Sequence, residues 1–256
     1  MARVVYFLEN KKMAELPSWL EALRPTPAEL KMQNNPAKYS RQIAVTDIIL
    51  RSTQAQKVYR RFFKVVNSAL LSLSVWLQSD PNTQKEYQNV ADRISKVIAE
   101  VREQLDLAIS STMQKLKETG VVQFDEAGKP SIPGFQITHE NPMLFHIEIR
   151  SPMAMKYLEL LGMLDHFCNL ENFLWFSGAV NNTENSNLRY KWQQAVGKVG
   201  SSIITLEREL RKKSEPLVTK EESGINYEEQ DSAAEQAIKE QMSDDKIFDE
   251  MTKENK

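Results

Sequence analysis

The sequence predicts a mainly α-helical protein that carries one short two-stranded antiparallel β-ribbon. Three observations predict it. Long stretches repeat apolar residues every three to four positions, and two short stretches alternate apolar and polar residues with period two. Those two short stretches belong to an internal repeat: IILRSTQAQK at Ile48–Lys57 returns ninety-nine positions later as IEIRSPMAMK at Ile147–Lys156, with five of ten residues identical. With 256 residues, 41% of them hydrophobic, the chain has the material for a sizeable core.

The elements follow in order. Residues 1–40 hold Pro17, Pro25, Pro27 and Pro36, which leave room for a helical turn or two but no long helix, so this part reads as an arm or cover. From Thr53, the apolar set Ala55, Val58, Tyr59, Phe62, Val65, Val66, Ala69, Leu70, Leu73 and Trp76 forms one helical face. Pro81 stops this helix, and Ser79 or Asp80 is placed to cap the next. A second long helix is expected from about 85 to 118, striped by Val90, Ile94, Val97, Val101, Leu105 and Ala108 and closed by Gly120.

Residues 120–143 collect prolines and glycines and read as an irregular connector. In LFHIEIR, Phe145, Ile147 and Ile149 alternate with His146, Glu148 and Arg150, the pattern of a half-buried strand. Ser151 and Pro152 then start a helix through Ala154, Tyr157, Leu158, Leu161 and Leu164, with another expected from near Asn169. A final helix of about 187–213 carries Leu188, Trp192, Ala195, Val199, Ile203, Leu206 and Leu210. Trp76, Trp175 and Trp192 lie in apolar stripes and are expected in the core.

The net charge of -2 is divided unevenly along the chain. Residues 215–256 hold thirteen acids against five bases, which leaves residues 1–214 at about +6. This acidic tail is poor in aromatics and is expected to be largely disordered, with at best a transient helix through AAEQAIKEQM.

The repeat now acquires a structural meaning. Each copy is a strand, a serine cap and an apolar helical stripe, and one short strand cannot satisfy its ladder groups alone. Two strand-helix-helix units that pair their strands give a ribbon-helix-helix-like core, with long helices added, over residues 41–214. Ile48, Leu50, Phe145, Ile147 and Ile149 would face inward, and Asp47, Ile49, Arg51, His146, Glu148 and Arg150 outward. A two-stranded ribbon fits the major groove of duplex DNA, and arginine reads guanine there. Arg51 and Arg150, related by the repeat, are the first candidates for base contacts. Ser52 and Ser151 stand at helix N-termini, where amides favour a phosphate. His146, Lys57 and Arg41 complete the DNA-facing set. Arg60, Arg61 and Lys64 extend the basic side of the first helix, although such a side is often only a solvated face.

VTDIILRSTQAQKVYRRFF and PMLFHIEIRSPMAMKYLELLGMLDHF also resemble the two signatures of the AcaB family of regulators from conjugative plasmids and integrative conjugative elements. The resemblance spans about residues 42–213. It implies a ribbon-helix-helix-like DNA-binding protein that activates conjugative-transfer genes, acting with RNA polymerase or another regulator. The alternative is a helical interaction or scaffold protein of the transfer machinery without DNA contact. The ribbon could form within a monomer or between the chains of a homodimer.

No segment approaches the eighteen or so uninterrupted apolar residues of a membrane span. The single cysteine, Cys168, sits among apolar neighbours and reads as a buried structural thiol, so a cytoplasmic location is expected. His139, His146 and His166 lack metal-ligand spacing, and no phosphate-binding loop or nucleophile elbow occurs. The sequence therefore predicts neither a cofactor nor an enzyme.

Overall fold

A computed structural model describes residues 43–77, 84–125, 130–135, 137–214 and 227–254. The arm expected over residues 1–40, Arg41, and the cap expected at Ser79 or Asp80 lie outside the described residues. Strand β1 (Ala44–Leu50) leads into helix α1, which runs through Thr53–Val58, a π-helical stretch Tyr59–Phe63 and Lys64–Trp76. Helix α2 (Gln84–Glu118) follows, and the connector after it contains a minimal hairpin of β2 (Gln123–Phe124) and β3 (Pro130–Ser131). Strand β4 (Met143–Ile149) opens the second half and continues into α3 (Pro152–Phe176), α4 (Asn182–Ser214) and α5 (Tyr227–Glu254). The described chain is thus mainly helical with a small antiparallel sheet.

The repeat extends to the element boundaries. Shifting Ala44–Leu50 by ninety-nine positions gives Met143–Ile149, and the same shift carries Thr53, the start of α1, to Pro152, the start of α3. β1 and β4 pair antiparallel, Ala44 opposite Ile149 and Leu50 opposite Met143. Asp47 lies opposite His146, its own counterpart in the repeat, so a pseudo-twofold axis passes through that pair. The side-chain period of two then places Ile48, Leu50, Phe145, Ile147 and Ile149 against the helices, with Leu50, Ile147 and Ile149 buried and Ile48 and Phe145 partly so. The expected inward set holds.

Helix α3 is central. It buries residues around most of its circumference, from Ala154 through Leu160 and Phe167 to Leu174, because α2 packs on one side and α1 and α4 on the other. The break expected near Asn169 does not occur: no glycine or proline interrupts residues 163–176, and Asn169 lies mid-helix, its Nδ2 donating to Asp165 Oδ2 at 3.4 Å. The chain stops instead at Gly178, whose φ of 75° ends the helix where a β-carbon would be strained. Trp175, expected in the core, is 43% exposed on the last turn, whereas its repeat counterpart Trp76 is buried. The centre of the α2 stripe also differs from expectation. It runs through Tyr87, Ala91, Ile94, Ile98, Leu105, Ile109, Thr112 and Leu116, and Val90, Val97, Val101 and Ala108 flank it.

The largest departure concerns the acidic tail. Residues expected to be mostly disordered form α5, which lies along α4 and α1 with Gln230, Ala234, Ala237 and Gln241 buried. Composition describes a segment in isolation, and here the rest of the chain supplies cationic partners that an isolated segment lacks.

The π-helical stretch lets α1 bury both Phe62 and Phe63. Phe62 presses on α4 at Gly197 and Gly200. A β-carbon at residue 200 would lie 2.7 Å from the Tyr157 hydroxyl and 3.0 Å from the Phe62 ring. Gly200→Ala is therefore expected to destabilise the fold by about 1 kcal/mol, overpacking outweighing the gain in helix propensity. Gly197→Ala should cost less, because the atom it would crowd, Gln241 Oε1, ends a side chain that can swing. Urea unfolding of both variants checks the order, and a more stable Gly200→Ala protein would contradict the packing described here.

Candidate nucleic-acid interface

Each strand runs into its helix through an Arg-Ser pair, and each serine caps its helix. Ser52 Oγ accepts from Ala55 N at 3.3 Å, and Ser151 Oγ accepts from Ala154 N at 3.2 Å. Both serines are buried, at 2% and 6% exposure. Asp165, from α3, occupies the first junction: its Oδ1 accepts from Arg51 N at 2.8 Å and from Ser52 N at 2.6 Å. Asn67, from α1, holds the second, Oδ1 accepting from Arg150 N at 3.4 Å and Nδ2 donating to Glu148 O at 2.8 Å. The two units thus anchor each other's strand-to-helix turns.

A phosphate is expected at Ser52 from the sequence, whereas in the structure the Ser52 amide is bonded to Asp165. The site at the α1 N-terminus is built for an anion, as the dipole argument requires, but the anion is the protein's own carboxylate. The Ser151 hydroxyl is likewise committed to its own helix. Asp165 and Asn67 were missed in the sequence; Asp165 left a signal, a carboxylate among the apolar residues Leu161, Leu164, Phe167 and Cys168.

Arg51 and Arg150 are exposed at opposite ends of the ribbon. Each lies four residues from the pseudo-twofold pair along antiparallel strands, so they are roughly 25 Å apart. Among the described residues the Arg51 guanidinium makes no hydrogen bond or ion pair, while Arg150 Nη2 reaches Glu148 Oε2 at 3.1 Å. His146 pairs through Nδ1 with Asp47 Oδ1 across the strands. The outward face between the arginines also carries Val45 (72% exposed), Ile49 and Leu144. The ribbon thus presents charged ends, a hydrogen-bonded His146–Asp47 pair at its middle and apolar side chains between.

The basic side of α1 is partnered. Arg61 Nε lies 3.2 Å from Glu240 Oε2 and Nη2 2.8 Å from Asp244 Oδ2, both on α5. Lys64 Nζ is 3.2 Å from Glu229. Lys57, Arg60, Arg61, Glu240 and Asp244 line a cleft of about 290 Å³ between the helices. Arg60 Nη2 turns toward the Met143 sulfur on the ribbon. Further along α4, Arg208 Nε and Arg211 Nη1 each donate to Asp231 at 3.0 Å, and Arg208 Nη2 meets Glu235 at 2.9 Å. Burial would raise the Asp231 carboxyl, but Arg211 and Arg208 outweigh it and hold the group below the usual range. Glu207 is 1% exposed nearby; burial pushes its carboxyl up to about 7 against the pull of Arg211.

Cys168 is buried as expected, and burial pushes its thiol up to about 12. It is therefore no nucleophile at neutral pH. Glu171 is also buried, accepts from Thr112 Oγ1 at 2.8 Å, and has its carboxyl raised by burial. Among the described residues no helix is long and apolar enough to cross a membrane.

No protein-family model and no curated protein matches the chain. A solved structure does resemble it: selenomethionine-containing AcaB from uropathogenic E. coli, with a TM-score of 0.61 and 26% sequence identity. The likeness covers 69% of this chain and 85% of that one. It supports an AcaB-like fold.

Two outcomes follow from the site. Asp165→Ala leaves two backbone amides without their acceptor and is expected to cost about 2 to 3 kcal/mol in urea unfolding; a change below about 0.5 kcal/mol would mean that water replaces the carboxylate freely. Glu207 binds its proton more tightly in the folded chain than in the unfolded one, so its contribution to stability falls as pH rises from about 4.5 to about 7. Across that window the wild type should lose on the order of 3 kcal/mol relative to Glu207→Gln. Parallel pH profiles for the two proteins would show that Glu207 is ionised throughout.

Proposed function

We propose that this protein is a sequence-specific DNA-binding regulator with a ribbon-helix-helix-like core, activating conjugative-transfer genes by laying its β-ribbon in the major groove. The observation that carries the reading is the pseudo-twofold ribbon: two strands paired about Asp47 and His146, each passing through an arginine and a capping serine into a helix. Such a ribbon has the width the major groove admits. Arg51 and Arg150 at its ends are the base-reading candidates, His146 sits at its centre, and the likeness to AcaB supports a regulatory role. Activation then proceeds through contact with RNA polymerase or another regulator, and one chain supplies the whole ribbon, whether it acts as a monomer or as a homodimer.

A second reading has its own support. Val45, Ile49 and Leu144 are exposed on the outward face, and Asp47 and Glu148 would repel phosphates. These features favour a protein partner, as in an interaction protein of the transfer machinery that does not touch DNA.

Salt-dependent gel shifts separate the two. On the DNA reading, the protein selects fragments from its own genetic neighbourhood over scrambled DNA, and Arg51→Ala or Arg150→Ala each costs about 1 to 3 kcal/mol of that preference. Selection from a randomised duplex library should yield an imperfect inverted repeat, mirroring the ribbon's approximate symmetry. No retention of any duplex at low salt would leave the scaffold reading standing.

A further inference from the structure

The structure assigns a second polyanion-binding surface to this chain, beside the ribbon and distinct from its outward face: the basic face formed by Lys57, Arg60, Arg61 and Lys64 of α1 with Arg208 and Arg211 of α4. Its ligand is the phosphate backbone of duplex DNA, and the acidic helix α5 is a displaceable occupant of the same face. This extends the DNA-binding reading and is tested apart from the ribbon.

Three observations carry it. First, the contact is largely electrostatic. Glu229, Asp231, Glu235, Glu240 and Asp244 of α5 meet Lys64, Arg208, Arg211 and Arg61, and these five acids stretch along roughly 22 Å of helix. About six phosphates of one DNA strand occupy that axial length. Second, the described side chains of α5 bury less apolar bulk than those of the core helices. Among them the buried hydrophobic ones are Ala234 and Ala237, alongside Gln230 and Gln241, with Ala233 and Ile238 partly buried, whereas α1 and α3 bury Phe62, Leu70, Leu161 and Phe167. A helix seated by charge is weakened by salt and by competing anions. Third, the face is not sealed. Lys57 and Lys64 are exposed, Lys64 by 87%, and the cleft of about 290 Å³ between Arg60, Arg61, Glu240 and Asp244 is open to incoming phosphate. Only residues 215–226 separate α4 from α5, so a displaced α5 stays tethered beside the face and competes at high local concentration.

The arrangement also explains how a chain with net charge -2 can hold a basic binding surface: with α5 in place the surface is neutralised, and with α5 displaced its cations are available together. Duplex binding to this face would carry no base preference, because its contacts are to phosphates.

The test uses the full-length chain and a scrambled 30-base-pair duplex, read by fluorescence anisotropy at about 0.1 M salt. Glu240→Gln/Asp244→Asn weakens α5 without touching the ribbon and should raise affinity at least fivefold. Adding Lys57→Gln/Lys64→Gln, both at exposed positions, should remove the gain. A control with the same loss of negative charge on α2, Glu103→Gln/Asp106→Asn, should gain less than twofold. In hydrogen exchange on the wild type, α5 amides should lose protection when the duplex is added. An unchanged affinity in Glu240→Gln/Asp244→Asn, an equal gain in the α2 control, or α5 protection unaffected by the duplex would each overturn the proposal. Arg51→Ala/Arg150→Ala separates this from the ribbon reading: loss of site preference with no α5 effect removes only the second surface, and an α5 effect with no loss of preference removes only the ribbon.

Discussion

Pairing of β1 with β4 is the constraint on which the rest of the molecule depends. A two-stranded ribbon has no neighbour on either edge, and in isolation it is marginal in water. It persists here because its inner face rests on the helices that its own strands begin. Bringing the strands together closes a loop of more than ninety residues, a length-dependent entropy of about 4 kcal/mol that the contacts must exceed. The helical hairpin of α1 and α2 shortens the effective closure, and the reciprocal anchors Asp165 and Asn67 hold the junctions once it is made. A slip of one residue would turn Leu50, Ile147 and Ile149 to solvent, so the core also fixes the register that places Asp47 opposite His146.

The parts of this fold that were legible in the sequence are those governed by local periodicity. Period two gave both strands and their inward faces, and Ser-Thr and Ser-Pro marked two helix starts that the structure places at Thr53 and Pro152. The parts that were not legible depend on partners distant in the chain. Asn169 looks like a helix start but lies inside α3, because helix continuity there is settled by packing on both sides. Trp175 looks like core because Trp76 is, yet the ends of α1 and α3 have different surroundings. The α5 helix could not be read from composition, since its order rests on Arg61, Arg208 and Arg211, which lie in other elements. Likewise, the candidate arginines were visible as a repeated pair, but the carboxylate beneath one of them was not.

Carboxylates are used in two distinct ways. Asp165 is buried and satisfied by two amides, so it acts as a fixed structural anion at a helix start. The acids of α5 are mostly exposed and meet long, mobile cations, where individual pairs contribute little and the set acts collectively. Glu207 lies between these cases, buried close to Arg211 without a hydrogen bond to it, and it resolves the conflict by retaining its proton toward neutral pH. Removing Asp165 therefore threatens the fold, whereas loosening α5 changes what the surface exposes.

The two strand-helix-helix units belong to one chain, and they have not remained identical. The positions matching Lys57, Arg60, Arg61 and Lys64 in the second unit are Lys156, Glu159, Leu160 and Met163, and exposed Ile49 corresponds to Glu148. In an assembly of two identical chains every substitution appears twice, so neither end can change without the other. Here each end is free to change alone. A molecule lying across this ribbon therefore meets a different surface at each end, and the complex acquires a direction that a perfect dyad would deny it.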